Sequence, residues 1–497
     1  MLVIVFSKLI GMCRDVVLAN YFGTTHISDA YLTASSVPTL LFYFIGHALS
    51  TAFLPMYNKV KHEQGKEKAD GYASNLLTIA LLICTVIVAF LVIFPGAVIK
   101  IFAPGFSGEA VKLASSFVQI SAVSLYFMTV ISIWTGYLQS VNNFIIPAFI
   151  SVPRNVIIMI SIYCAATIHI SILGVGLLLC YVAEMVLLYP FVRRAGYRIR
   201  LNANTQSPEL KETLYVVLPI LLGTSIGQIN KIVDKAIAST IAEGAVSAMS
   251  YASVINNAIQ EVLVTGLITI LFASCAALVA QGKHKEVKDK LFNTTSTFIA
   301  VLIPATVGLL LLSRQIVTCL LLRGSFDETS VQMTTGALCC YTVGLCFLAL
   351  RDAFVKVFYA YKMTGIATKV SIAAILISIV MKLLLAKPLG IYGLALSTSF
   401  SAVIHSAALY ILLRKKMDSL GTKKLIGISA KVIVATAVMA VAVLAMLRCT
   451  QGYSDLVKLI VCSLTGVAVY GAAALLLGVP VARKIVGIVL KKKIRGA

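Results

Sequence analysis

The residues able to do chemistry in this chain are charges set where charge is costly. Lys8, Arg14 and Asp15 fall in the first apolar run, and Asp29 opens the second. Arg154 lies in the fifth, Lys231, Asp234 and Lys235 in the seventh, and Glu261 in the eighth. Arg351, Asp352 and Lys356 lie in the tenth and Lys382 in the eleventh. An ionised side chain in hydrocarbon costs several kcal/mol unless it meets a partner or a wet cavity, so such a residue marks function by default. Cations outnumber carboxylates here. Pairing of Arg14 with Asp15 or Asp29, and of Asp234 with Lys235 or Lys382, absorbs several and leaves a positive remainder. A wet cationic cavity between apolar walls suits an anionic amphiphile: Arg offers phosphate a planar donor fork and Lys a point charge. For each cation the plainer reading is an ion pair or a side chain snorkelling to the interface.

Spacing adds detail. Lys8 and Arg14 are six residues apart, roughly 240° around an ideal helix. They reach one lumen only if the helix bends, and Gly11 permits a bend. His47 and His405 are lone histidines inside apolar runs and read as satisfied polar groups before proton relays. Asn256, Asn257 and Gln260 beside Glu261 form a polar stripe, which is either a cavity face or a set of interhelical hydrogen bonds. No nucleophile–base constellation and no Gly-rich phosphate loop followed by Lys-Ser/Thr is present, which argues against ATP hydrolysis and enzymatic chemistry. The eleven cysteines are scattered and suggest neither a disulfide framework nor a zinc site.

These residues are carried on membrane helices. Of 497 residues, 59% are hydrophobic and only 12% charged, about half the charge of a soluble protein. The fold class is all-α and polytopic. Apolar segments of membrane length predict about fourteen transmembrane helices. No cleavable leader or lipidation box is visible at the start, so the first helix is expected to be retained. The net charge of +23 is concentrated in short loops. It therefore reads as a topology signal and not as a nucleic-acid surface. Loops after even-numbered helices hold most of the Lys and Arg, which predicts that those loops and both termini are cytoplasmic. The basic tail, 481–497, also suits anionic headgroups.

The chain repeats itself. Residues 13–62 align with 232–281 at a constant offset of 219, putting Asp15 on Asp234 and Phe53 on Phe272. PGFSGE later resembles RGSFDE. Two six-helix bundles in the same orientation follow: a first lobe at 1–193 and a second at 212–416. Two further helices occupy 425–480. Parallel repeats around a midplane site are a common transporter plan. By the same offset the first helix is about two turns shorter than its counterpart.

SKLIGMCRDVVLANYFGTTHISDAYLTASSVPTLLFYFIGHALSTAFLP resembles the amino-terminal signature of the MurJ/MviN family, particularly its Gram-positive, clostridial-type members. QINKIVDKAIAS, IPATVGLLLL, LLRGSFDETS and ALRDAFVKVFYAYKMTG resemble further family stretches. The family belongs to the MOP superfamily. The resemblance implies a monomeric flippase of the bacterial plasma membrane. It would move lipid II, the undecaprenyl-diphosphate-linked peptidoglycan precursor, between leaflets by alternating access. The polyprenyl tail would lie in a groove formed with helices 13 and 14. Residue by residue, Arg14 resembles the family's essential arginine of helix 1, Lys8 stands where many members have another arginine, and Asp29 resembles the aspartate opening helix 2. Phe42 and Val254 stand where proteobacterial members have arginines. Lys8, Arg14 and Asp29, with Arg351, Lys231 and Glu261, make the expected substrate-binding set. Asp234 and Thr398 resemble sodium ligands of some members, whereas Ser378 and Lys382 stand where amide or carboxylate ligands are expected. We therefore expect no cofactor, with the Lys382 ammonium replacing sodium as counter-ion to Asp234. Two other readings compete. One is an exporter of the same superfamily carrying a teichoic or capsular lipid-linked intermediate, or a drug. The other is a membrane-embedded transferase, for which the loops at 56–72 and 193–211 lack an acid/base or metal constellation.

Overall fold

The computed structural model describes residues 2–198, 200, 202–417 and 420–483. Among them the regular structure is helical throughout, as it must be where no water satisfies an open backbone. Among the described residues eight helices are long and apolar enough to cross a membrane, or ten if each of two bent pairs is one crossing. This is fewer than fourteen, and the differences have local causes. Helix Leu2–Phe22 carries Lys8, Arg14 and Asp15 within 21 residues. Helix His26–Phe42 passes into a π-helical turn at Tyr43–His47 before Ala48–Gln64 continues. The run Thr364–Lys416 spans 53 residues, but Gly390 inside it has φ 56° and ψ −136°. A Cβ on Gly393 would overlap the Leu385 carbonyl. The chain thus reverses there, and the run is two helices.

The chain forms two compact units. The first comprises the chain up to Ser250 together with Arg323–Asp327. Helix Pro208–Ser239 therefore groups with this unit, whereas the sequence pattern opens the second lobe at 212. Its core is aromatic: Phe53, Tyr57, Tyr137 and Tyr197 are fully buried. Tyr57 and Tyr137 meet edge to face with ring centroids 5.5 Å apart, and Tyr137 lies 4.9 Å from Tyr197. Their hydroxyls are used, since Tyr57 donates to Asp70 (2.7 Å) and Tyr137 to the Ala195 carbonyl (3.0 Å). Rings with one apolar side and one bonded tip suit the region where helices leave the hydrocarbon.

The second unit comprises Tyr251–Leu322 and the chain from Glu328 onward. One core cluster includes Leu291, Phe298, Phe354 and Phe358. Another joins Ile299, Leu425, Val432, Ala435 and Ala474, which seats Thr422–Cys449 and Asp455–Leu476 against His284–Leu321. The outer faces of the last two helices stay apolar and open, with Val441 68%, Val467 73% and Leu476 88% exposed. Surfaces of this kind require lipid as solvent.

The repeat is visible in local geometry. Helices begin at His26 and at Ala245, 219 residues apart. Each leads into one π-helical turn, Tyr43–His47 and Glu261–Thr265. Such turns insert one extra residue and frequently mark functional sites. Of the basic tail, Lys484, Lys491, Lys492, Lys493 and Arg495 lie outside the described residues.

Candidate functional site

In the first unit the polar centre is built on helix Leu2–Phe22, which runs unbroken through Gly11. Arg14 donates from Nε and Nη2 to Oδ1 of Asp15, at 2.9 and 2.7 Å. Its Nη1 donates to Oδ1 of Asn155 at 3.2 Å. Asn155 is 3% exposed and is itself held by the Ser151 carbonyl (2.8 Å). Three of the five guanidinium N–H groups are thereby occupied, and two remain for a ligand. The Arg14 side chain is 31% exposed. Next to Asn155, Arg154 pairs with Glu184 at 3.4 Å and lies 6.0 Å from the Tyr181 ring. Glu184 is 2% exposed.

Sequence reasoning misses Glu184 and Asn155. Glu184 carries the same signal as the other residues, a lone carboxylate in the apolar run Ile172–Arg194. Asn155 carries none, because only packing brings it to Arg14. Lys8 is exposed, and its neighbour Ser7 is the buried residue of that turn, donating to the Ala148 carbonyl.

Asp29 is placed differently from the cation cluster. It is 2% exposed and accepts from the backbone amides of Gly244 (2.8 Å) and Ser247 (2.7 Å). It therefore caps helix Ala245–Gln260, whose first N–H groups lack intrahelical partners. Lys235 donates at 2.6 Å to the carbonyl of Leu32, which lies on the helix that Asp29 opens. Lys231 is exposed, 6.0 Å from the Tyr43 ring, and Asp234 is half-buried. Around Asp29 the loops interlock. Ser325 donates its amide to the Asn20 carbonyl (2.8 Å) and its hydroxyl to that of Tyr21 (3.0 Å). The Gly105 amide donates to Ser239 Oγ (3.1 Å). His26 donates its amide to Glu243 at 2.9 Å, with its ring Nδ1 at 3.1 Å. The His26 hydrogen bonds hold the Glu243 carboxyl below its usual range. Gly244 has φ 79°, and a Cβ there would overlap the Thr24 carbonyl.

The second unit repeats the Arg–Asp arrangement. Arg351 donates from Nε (2.9 Å) and Nη2 (2.7 Å) to Oδ1 of Asp352. Gln260 donates to the other Asp352 oxygen at 3.3 Å. The next residue, Glu261, is exposed and opens the π-helical turn. Lys382 is 0% exposed, and Ser378, one turn before it, is 4% exposed. Thr398 bonds its own helix at the Leu394 carbonyl (3.5 Å). His405 sits 3.3 Å from Ser371 Oγ. The His47 side chain lies outside the described residues. Among the described residues no three His, Cys, Asp or Glu side chains converge to hold a metal ion.

Two half-exposed guanidiniums, each steadied by the carboxylate of the next residue, can donate to a phosphate without leaving an uncompensated charge when it is absent. The family model for "Lipid II flippase MurJ" matches residues 18–465. The "Probable lipid II flippase MurJ" of Rickettsia prowazekii (strain Madrid E) is 27% identical over 412 residues, 81% of this chain and 80% of that one. The protein of the same description from Thermotoga maritima is 26% identical over 471 residues, 94% and 92% of the two chains. Among solved structures, "Lipid II flippase MurJ, inward closed conformation" superposes with a TM-score of 0.82 at 24% identity. That superposition covers 97% of this chain and 98% of the other. An inward-facing multidrug MATE transporter of the MOP superfamily superposes with a TM-score of 0.71 at 14% identity, over 84% and 96%. The family model runs through both halves of the repeat and takes in Arg351 and Asp352: the chain belongs to the lipid II flippase MurJ family.

Proposed function

We infer that this protein is a flippase that carries lipid II across the bacterial plasma membrane. The observation that carries the inference is the family match over 18–465, which takes in every ionic cluster except Lys8 and Arg14–Asp15 at the start. The chemistry agrees. Lipid II joins a diphosphate to a very long apolar tail, and Arg14 and Arg351 each keep donors available for an anion. We assign the substrate-facing role to Arg14, Lys231, Glu261 and Arg351, whereas Lys8 stands on another face of the unbroken helix Leu2–Phe22. Asp29 contributes by holding the start of helix Ala245–Gln260. Lys382 acts as a tethered cation serving in place of sodium, with Asp234 and Thr398 completing the coupling set. Helices Thr422–Cys449 and Asp455–Leu476 offer the apolar outer surface for the polyprenyl tail. Both termini are cytoplasmic, the protein acts as a monomer, and no covalent chemistry is required of it.

The test is complementation. A host depleted of its own lipid II flippase should survive when this chain is expressed and should display labelled lipid II on its outer face. Arg14→Ala should abolish both. Rescue without outer-face lipid II would remove the assignment, and full rescue by Arg14→Ala would remove the role given to Arg14. Activity should not require sodium and should be lost in Lys382→Ala; tight sodium binding by the purified protein would overturn the role of Lys382.

A further inference from the structure

The end of the second unit that carries its basic loops holds two adjoining clefts. The larger, about 750 Å3, is lined by Lys288, Asp289, Arg414, Lys423 and Lys424, with Phe292 and Leu420 among its apolar residues. The smaller, about 480 Å3, shares Lys288 and adds His284, Lys285 and Lys416. Four cations thus face one carboxylate in the larger cleft.

The repeat supplies an internal control. At the offset of 219, Lys66 falls on Lys285. The first unit has its own cleft there, about 320 Å3, lined by Lys66, Glu67, Asp70, Arg198 and Arg200. In it three cations meet two carboxylates, Arg200 lies 3.8 Å from Glu67, and Lys66 is bonded to the Ala195 carbonyl at 3.2 Å. The fold therefore builds this corner with nearly balanced charge in one half. The surplus in the other half is not needed to make the corner, and clustered like charges repel one another unless an anion sits among them.

The surroundings narrow the anion's identity. Ile411, three residues before Arg414, is 54% exposed, and Ile426, two residues after Lys424, is 64% exposed. Charged lining together with open apolar side chains at the end of helix Thr364–Lys416 and the start of Thr422–Cys449 matches a molecule with a phosphate head and acyl chains. We propose that this cleft binds the phosphate headgroup of an anionic glycerophospholipid, seated on Lys288, Arg414, Lys423 and Lys424, with its acyl chains along Ile411 and Ile426. The site is separate from the Arg–Asp pairs and does not depend on the nature of the cargo.

Purified full-length protein in a neutral detergent would be titrated calorimetrically with dihexanoyl-phosphatidylglycerol, dihexanoyl-phosphatidylcholine and inorganic phosphate. The expected result is saturable binding of the phosphatidylglycerol, at least tenfold tighter than the phosphatidylcholine. Lys288→Gln/Lys423→Gln/Lys424→Gln should weaken it at least tenfold. The matched triple Lys66→Gln/Arg198→Gln/Arg200→Gln in the first unit should leave it unchanged. Lys423→Arg/Lys424→Arg should retain it, which separates loss of charge from loss of fold. Inorganic phosphate binding as tightly as the lipid would overturn the lipid assignment in favour of a free anion. Equal binding of both lipids, or equal loss in the two triple variants, would overturn the site itself.

Discussion

The carboxylate of Asp29 and the amide of Gly244 are 2.8 Å apart, although 215 residues separate them in the chain. The second oxygen of Asp29 takes the amide of Ser247. One aspartate at the start of one helix thus caps the start of its repeat counterpart, where backbone N–H groups and a negative charge attract each other. A hydrogen bond to a charged group contributes about 1.5–3 kcal/mol net. Asp29→Asn, which removes the charge and one acceptor, should speed hydrogen exchange at the Gly244 and Ser247 amides about tenfold or more. Unchanged exchange would show that the cap contributes nothing.

Gly244 belongs to the same latch. Its positive φ and its closeness to the Thr24 carbonyl exclude any side chain. Gly244→Ala should cost a few kcal/mol and lower the melting temperature of the detergent-solubilised protein. Gly266, helical and with open space where a Cβ would go, is the control. There alanine should be neutral or stabilising by up to about 1 kcal/mol.

Glu184 and Arg154 form a pair in which only the glutamate is fully buried. Removing one member of such a pair strands the other. Arg154→Gln alone should destabilise by about 1–3 kcal/mol. Arg154→Gln with Glu184→Gln should recover a large part of that loss. Additive effects in the double-mutant cycle would show that the two do not interact.

The latch should also respond to acid, with a sign set by Glu243. Its carboxyl is held below the ordinary glutamate value of 4.5, chiefly by the His26 amide and then by its ring. The ionised form is therefore favoured in the folded protein. Its contribution is full above about pH 4.5 and is lost as pH falls through the lower folded value. Hydrogen-exchange protection of the His26 amide, which donates to Glu243, should hold from neutral pH down to about pH 5 and decline below about pH 4. Glu243→Gln should remove that dependence.

The Arg–Asp pairs should separate charge from shape. Arg14→Lys keeps the cation but cannot span Asp15 and Asn155 with one planar fork. It should restore less outer-face lipid II than the unaltered chain, and Arg351→Lys should act in the same direction. Equal labelling in all three would mean that a point charge suffices.

The sequence by itself determined that this is a helical membrane protein and that some of its ionic residues fall inside its apolar helices. It also determined that the pattern repeats after 219 residues. The physical reason is direct. Hydrocarbon admits ionic side chains only at a cost, so Lys8, Arg14, Asp29, Arg351 and Lys382 stand out from their apolar neighbours along the linear chain. Tertiary structure alone decided how each charge is satisfied. Both Arg–Asp pairs are neighbours in sequence, yet adjacency on a helix does not dictate a hydrogen bond, and the second partner of Arg14, Asn155, is 141 residues away. Asp29 has the composition of a ligand and the contacts of a helix cap, because its partners are backbone amides that no residue type announces. The π-helical turns at Tyr43–His47 and Glu261–Thr265 were equally hidden. One inserted residue is a property of packing, and an apolar run reads the same with or without it.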